Sequence, residues 1–376
     1  MSLSTDLLRA EYWTRLPQGR RPGFIYRRPD GRQVKRAADL ERVAKLAIPP
    51  AWTDVYVSPE PDAELQAFGR DQAGRLQYRY HHEFMQQSAL QKWRRLGRFA
   101  DVLPRLRAIT RSDLLLKGWP KDKVMALMTR LLHLAFFRVG SLRYTQKHRT
   151  HGLCTLQKRH LHIDGNRLEF AYRGKHGIDQ VQQVRDVTLA KHLKGLRELS
   201  GPWLFQYVDD AGQAHRIRSR ELNAYLWDRI GPFTAKDFRT WGGTLCAAEY
   251  LAEVAKVGEV PPRQAVIDMV KAVAQQLGNT PSVARGSYIC PIIIDEFLEG
   301  KVIDEVGNTP APRVRDRGLT RSEASLRRLL QPSLEPKTRR ASAKATALPK
   351  TVLPRRSAVR APASAAKVRP AATAPA

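Results

Sequence analysis

Apolar positions change their period twice along this chain of 376 residues. Up to about residue 80 they alternate with polar ones in short runs, the period of half-buried strands. Residues 24–34 (FIYRRPDGRQV) set Asp30-Gly31 between two such runs, a hairpin signal, and residues 67–80 (AFGRDQAGRLQYRY) repeat it with Gly74 at the turn. In the later run Tyr78 and Tyr80 fall on one face of the strand, and Gln77 and Arg79 on the other. Residues 48–52 (IPPAW) read as a stiff, non-helical connector.

After Glu83 the apolar spacing becomes three and four, as in helices. Residues 99–109 fit this pattern. Residues 124–137 are apolar nearly all round, which predicts a central core helix stopping at Gly140 with Arg138 at its C-terminal end. Strand-like runs return over residues 153–187, turned by Asp164-Gly165 and by Gly174-Lys175-His176-Gly177. Helices are expected again from about Leu189, Ser219, Lys236, Gln264 and Ser282, with residues 292–298 last. No internal repeat is present. The reading is an α+β chain: a small β-containing domain over residues 1–90, then a larger, mainly helical domain over residues 91–310 that carries a β-hairpin insert.

Composition changes at residue 311. The last 66 residues hold 16 Lys or Arg against three acids and contain no Phe, Trp or Tyr. They lack the apolar surface that would offset the entropy of ordering them, so residues 311–376 are expected to be a disordered basic tail with a short helix around residues 322–330. The formal net charge is +29, and the first 310 residues alone keep 49 bases against 33 acids. Such a charge calls for a polyanionic partner, and duplex DNA fits. No run of 18 apolar residues suggests a membrane span. Three scattered cysteines, Cys154, Cys246 and Cys290, suit a reducing cytoplasm beside the nucleoid.

Two clusters invite a metal. His148, His151, Cys154, His160 and His162 are irregularly spaced and crowded by Arg149, Lys158 and Arg159, which argues against zinc. Asp295, Glu296, Glu299, Asp304 and Glu305 read as a solvated face rather than a Mg²⁺ site. Gly174-Lys175 lacks the rest of a phosphate-binding loop. No metal, nucleotide or other cofactor is expected.

Breaking a phosphodiester without a metal needs guanidinium groups for the non-bridging oxygens, a nucleophile, and a proton for the leaving oxygen. The chain offers, in order, Phe137-Arg138-Val139-Gly140-Ser141, Arg173-Gly174-Lys175-His176-Gly177, Lys236-Asp237-Phe238-Arg239-Thr240-Trp241, and residues 277–288 (LGNTPSVARGSY). Together these resemble the Arg, Lys, Lys-x-x-Arg and His/Asn-x₈-Tyr elements of type IB DNA topoisomerases of the poxvirus and bacterial branch. Gln77-Tyr78-Arg79-Tyr80-His81 resembles that family's duplex-reading strand, and residues 152–162 (GLCTLQKRHLH) match its pattern ahead of the lysine hairpin. The likeness spans about residues 20–300.

The resemblance implies that Tyr288 attacks the phosphate and forms a 3′-phosphotyrosyl link. It implies that Arg138 and Arg239 hold the transition-state oxygens and that Lys175 protonates the leaving 5′ oxygen. Neighbouring cations favour Tyr288 as phenolate. Asn279 would donate to a non-bridging oxygen; poxvirus members carry His there, and an amide cannot transfer a proton. Gln77, Tyr78, Tyr80 and Lys236 would contact DNA, and a monomer would close on the duplex as a clamp. A tyrosine site-specific recombinase shares much of this set but usually has His where Lys236 stands and a purely helical N-terminal domain. A non-catalytic DNA-binding protein accounts for the charge and leaves the ordered constellation unexplained.

Overall fold

The computed structural model describes residues 9–19, 22–307, 309–310 and 317–334. The N-terminal part is one antiparallel sheet in the order β2-β1-β3-β4-β5, formed by β1 (Trp13–Pro17), β2 (Phe24–Arg27), β3 (Thr53–Val57), β4 (Leu65–Arg70) and β5 (Leu76–Tyr80). Helix α1 (Ala37–Lys45) inserts Val43 into a small core with Trp13, Val34, Val55, Val57 and Ala67. The hairpin expected at Asp30-Gly31 closes only one bridge, Arg27 with Gln33. Val34 turns inward and is buried instead of extending the strand, so β2 pairs along its length with β1. The hairpin at Gly74 forms as expected, with Asp71 Oδ1 accepting from the Ala73 and Arg75 amides across the turn.

Helix α2 (His82–Asp113) begins two residues beyond β5 and runs without interruption past residue 90. It buries Trp93, Leu96, Phe99, Ala100, Leu103 and Leu106, a three- and four-residue stripe. That stripe packs into a helical core around α3 (Lys121–Ala135) and α7 (Ala235–Val257), where Phe99 meets Phe238 edge to face with centroids 5.0 Å apart. Shorter helices follow around them: α4 (Leu142–His148), α5 (Val187–Glu198), α6 (Ser219–Ile230), α8 (Pro262–Leu277), α9 (Pro281–Ser287) and α10 (Pro291–Leu298). Strands β6 (Leu161–Asp164), β7 (Arg167–Arg173) and β8 (Asp179–Arg185) form an antiparallel sheet in chain order. Two further strands, β9 (Gln206–Val208) and β10 (Ala214–Arg216), make a separate ribbon.

Two expectations are corrected. Helix α3 ends at Ala135, because Phe136 takes the left-handed conformation (φ 52°) and turns the chain away. Arg138 therefore lies in the segment beyond the helix, where its carbonyl and that of Val139 accept from the Leu153 and Cys154 amides.

The second correction concerns the basic tail. Residues 317–334 are folded: α11 (Arg321–Leu334) buries Ala324, Leu326 and Leu330 in the main core, with Leu319 just before it. Glu323 is 1% exposed and receives two hydrogen bonds from Arg107, at 2.7 and 2.8 Å. The short helix expected around residues 322–330 is there; its packing into the core and its buried ion pair are what the basic composition hid. The disorder expected for residues 311–316 and 335–376 lies outside the described residues. Among the described residues no helix is long and apolar enough to cross a membrane.

Candidate active site

Four of the residues singled out in the sequence meet where α3, α7, α8 and α9 converge. Arg239, on the second turn of α7, is 3% exposed. Its Nη1 donates to the Phe136 carbonyl and its Nη2 to the Leu277 carbonyl at 2.8 Å. Phe136 and Leu277 stand at the C-terminal ends of α3 and α8, where carbonyls lack helical partners and carry the negative end of the helix dipole. Arg138 Nη2 donates to the carbonyl of Gly278, the residue capping α8, and to Asn279 Oδ1, both at 2.5 Å. Two helix ends thus hold the guanidiniums. Among the described residues no carboxylate pairs with either one, so their charges remain available to an anion.

Tyr288 follows α9, whose start is fixed by Pro281 and by the Thr280 hydroxyl accepting from the Val283 amide. Its own amide donates to the Ala284 carbonyl at 2.9 Å, and its carbonyl accepts from Thr244 Oγ1 of α7 at 3.1 Å. Gly243 permits this approach, since a Cβ there would lie 2.9 Å from the Tyr288 carbonyl oxygen. Lys92 of α2 donates to the carbonyl of Ser287 at 2.8 Å. The Ser287–Tyr288 main chain is thereby held from two helices.

The Arg239 guanidinium lies over the Tyr288 ring, its Cζ 5.0 Å from the centroid. Burial alone would raise the phenol's pKa. The charge of Arg239 foremost, and then Lys236 and Arg138, outweigh it and hold the group below its usual 10. Burial pushes Tyr172 up to about 12 despite both arginines, so the field favours ionisation of Tyr288 over Tyr172.

Two buried donors in this cluster have no partner: Arg239 Nε and Asn279 Nδ2. The Asn279 amide is oriented by Arg138, which can only donate, so its oxygen faces the guanidinium and its nitrogen is left over. Orphaned buried donors are costly, about 1–3 kcal/mol each in mutational data. An incoming oxyanion would satisfy both.

Lys175 is not packed against Tyr288. It stands exposed on the turn between β7 and β8, where His176 has a left-handed φ of 65°. It lines an open cleft of about 760 Å³ together with Arg138, Tyr144, His151, Arg173 and, from the N-terminal sheet, Arg75. Lys236 is exposed on the first turn of α7. Gln77, Tyr78 and Tyr80 lie apart from this cluster on β5, the edge strand of the N-terminal sheet. Tyr78 and Tyr80 are 42% and 39% exposed, with ring centroids 6.0 Å apart, while Gln77 donates to Asp71 Oδ2 at 2.9 Å.

Several residues here escape sequence reasoning. Lys92 looks like any helical surface lysine, yet burial, then the charge of Lys236, lowers its pKa to about 8. Arg95 donates through two nitrogens to Asp237, both at 2.8 Å, and Asp237 also accepts from the Thr234 amide and hydroxyl at the start of α7. Gly242-Gly243 did carry a signal: paired glycines inside a helical pattern imply a close backbone approach.

The two decoy clusters have structural employment. His151 Nδ1 lies 2.7 Å from the Thr155 carbonyl, and His160 Nδ1 accepts from the Gln157 amide at 3.0 Å. Lys301 pairs with Glu296 and Glu299, and Arg328 with Asp304 and Glu305. Among the described residues no three His, Cys, Asp or Glu group as a metal ion would require.

Comparison with known proteins points to one enzyme family. Residues 81–288 match the family described as eukaryotic DNA topoisomerase I, catalytic core, and residues 23–71 match the bacterial DNA topoisomerase IB N-terminal domain. The chain is 32% identical over 275 residues to DNA topoisomerase 1B of Acanthamoeba polyphaga mimivirus, covering 71% of this chain and 82% of that one. It is 24% identical over 276 residues to DNA topoisomerase I of monkeypox virus and 23% identical over 276 residues to DNA topoisomerase 1B of vaccinia virus (strain Copenhagen). Each of those two alignments covers 72% of this chain and 85% of the relative.

Proposed function

The chain belongs to the type IB DNA topoisomerases, isomerases that act on DNA, and from that premise we propose that it relaxes positive and negative supercoils through a transient phosphotyrosyl nick at Tyr288. The orphaned donors of Arg239 and Asn279 beside that tyrosine carry this reading, because a phosphate oxygen is what they lack.

The Tyr288 phenol first loses its proton to solvent, which the surrounding cations favour. The phenolate attacks the scissile phosphorus; the Tyr288 Oη–P bond forms and the P–O5′ bond breaks. Arg138, Arg239 and Asn279 donate to the non-bridging oxygens as charge builds there. Lys175 swings in on its turn and gives a proton to the leaving 5′ oxygen. With one strand held as a 3′ ester, the free 5′ end rotates about the intact strand. Resealing runs the steps backwards: the 5′ hydroxyl attacks, Lys175 takes its proton, and Tyr288 leaves as phenolate. The ester conserves the energy of the broken bond, so no nucleotide is consumed, and the guanidiniums supply the positive charge a metal would otherwise bring.

Residues 1–90 and 91–310 serve as the two arms of a monomeric clamp around the duplex. Tyr78, Tyr80 and Gln77 face DNA from one arm. Lys236 and the hairpin insert bearing Lys175 face it from the other. The setting is the bacterial cytoplasm at the nucleoid, away from membranes.

The test is plasmid relaxation in EDTA without ATP, on positively and on negatively supercoiled substrate. Both should relax, and Tyr288→Phe should abolish both while leaving DNA binding intact. Relaxation surviving in Tyr288→Phe, or a requirement for a metal ion, overturns the proposal.

A further inference from the structure

Nothing in the mechanism above explains how an exposed turn brings Lys175 repeatedly to one leaving oxygen. The glycines on either side of the cleft suggest how. Gly174 stands immediately before Lys175, and Gly278 caps α8 immediately before Asn279. A Cβ built on Gly174 would lie 2.6 Å from Cγ of Gln180, and one built on Gly278 would collide with the Gln180 carboxamide oxygen and lie 3.0 Å from its Cδ. One side chain therefore fills the space left empty at two glycines, one in the lysine turn and one beside the phosphate-binding pair.

The neighbouring bonds make that contact consequential. Gln180 is the second residue of β8, opposite Tyr172, at the foot of the turn. The turn is itself closed by the Gly174 amide donating to the Ile178 carbonyl at 2.8 Å and by the Gly177 amide donating to the Gly174 carbonyl at 3.0 Å. On the far side, the Gly278 carbonyl and Asn279 Oδ1 are both bound by Arg138. Gln180 donates only to the Asp179 carbonyl, at 3.3 Å, so its amide is not committed elsewhere.

We propose that Gln180 is a positioning residue that seats the Lys175 turn against the Arg138–Asn279 pair, so that the proton donor and the transition-state donors share one frame. This rests on the reading of Lys175 as the acid. Gln180 touches neither phosphate nor leaving group; it acts through Lys175.

The test compares two duplex substrates, one with the ordinary 5′ bridging oxygen and one with sulfur in its place. A thiolate leaves without a proton, so the sulfur substrate bypasses the acid while making the same demands on everything else. Single-turnover cleavage by Gln180→Ala should fall roughly tenfold on oxygen, the scale of a small misplacement of a catalytic group. On sulfur it should run at the wild-type rate. Gln180→Met, which keeps the length and fills the same space, should cleave both substrates nearly as the wild type does. DNA affinity should be unchanged throughout.

Lys175→Ala is run alongside and should show a larger loss on oxygen, also restored by sulfur. If sulfur fails to restore Lys175→Ala, the acid assignment itself falls. If it restores Lys175→Ala but Gln180→Ala stays slow on both substrates, Gln180 supports the site generally and the proposal is wrong. Wild-type rates for Gln180→Ala on both substrates also overturn it.

Discussion

Arg239 decides the chemistry of Tyr288, and the sign of its effect can be measured. Burial raises the phenol's pKa, while Arg239, Lys236 and Arg138 lower it, with Arg239 foremost. A spectroscopic pH titration of wild type minus Tyr288→Phe should show one phenol ionising below the ordinary tyrosine range. Replacing Arg239 with Met removes the largest lowering influence and leaves burial, so the same difference titration should move to higher pH. An unmoved midpoint would mean that Lys236 and Arg138 suffice. The four residues that the fold brings together, Arg138, Arg239, Asn279 and Tyr288, were singled out in the sequence by type and order. Their orientation was not legible there, since main-chain carbonyls at helix ends hold Arg239 and, together with Asn279, Arg138, and no side-chain pattern announces those carbonyls.

At the scale of elements, α2 reaches further than its sequence implied. The switch of period after Glu83 marked its start, but an apolar stripe cannot reveal that polar residues on its flank grip Ser287, next to Tyr288, and the first turn of α7. Lys92→Met should slow single-turnover cleavage by roughly tenfold with little change in DNA affinity, because it releases the Ser287 carbonyl and shifts the nucleophile. With the Lys92 pKa brought to about 8 by burial and by Lys236, its charge is present below that pH and lost above it. Lys92→Arg should therefore retain cleavage at neutral pH and fall off less above pH 8 than the wild type. A loss of affinity in Lys92→Met, with cleavage of bound DNA unchanged, would assign Lys92 to the phosphate backbone instead. Helix α11 teaches the opposite lesson: its apolar stripe was visible over residues 322–330, and the basic surroundings wrongly outweighed it.

For the whole molecule, acid should be destabilising, and the Arg107–Glu323–His133 group locates the window. Glu323 is held below the usual carboxylate range: burial would raise it, but the Arg107 hydrogen bonds and charge prevail. His133 is pushed down to about 4, first by burial and then by Arg107. The folded protein thus binds fewer protons here than the unfolded chain between roughly pH 6.5 and 4, and stability falls as pH drops through that range. Glu323→Gln should melt lower at pH 7, losing up to about 3–5 kcal/mol as a broken buried pair does. Equal melting temperatures for the two proteins at pH 7 would mean that the Arg107–Glu323 pair contributes nothing to the fold.

The carbonyls that hold Arg239 have a consequence for how such a protein ages. Phe136 and Leu277 offer oxygens that every amino acid possesses, so exchanges at those positions leave the guanidinium's two acceptors in place as long as the helices end where they do. The geometry of the guanidinium is inherited with the path of the backbone, and lineages can drift far apart in sequence without redesigning the socket.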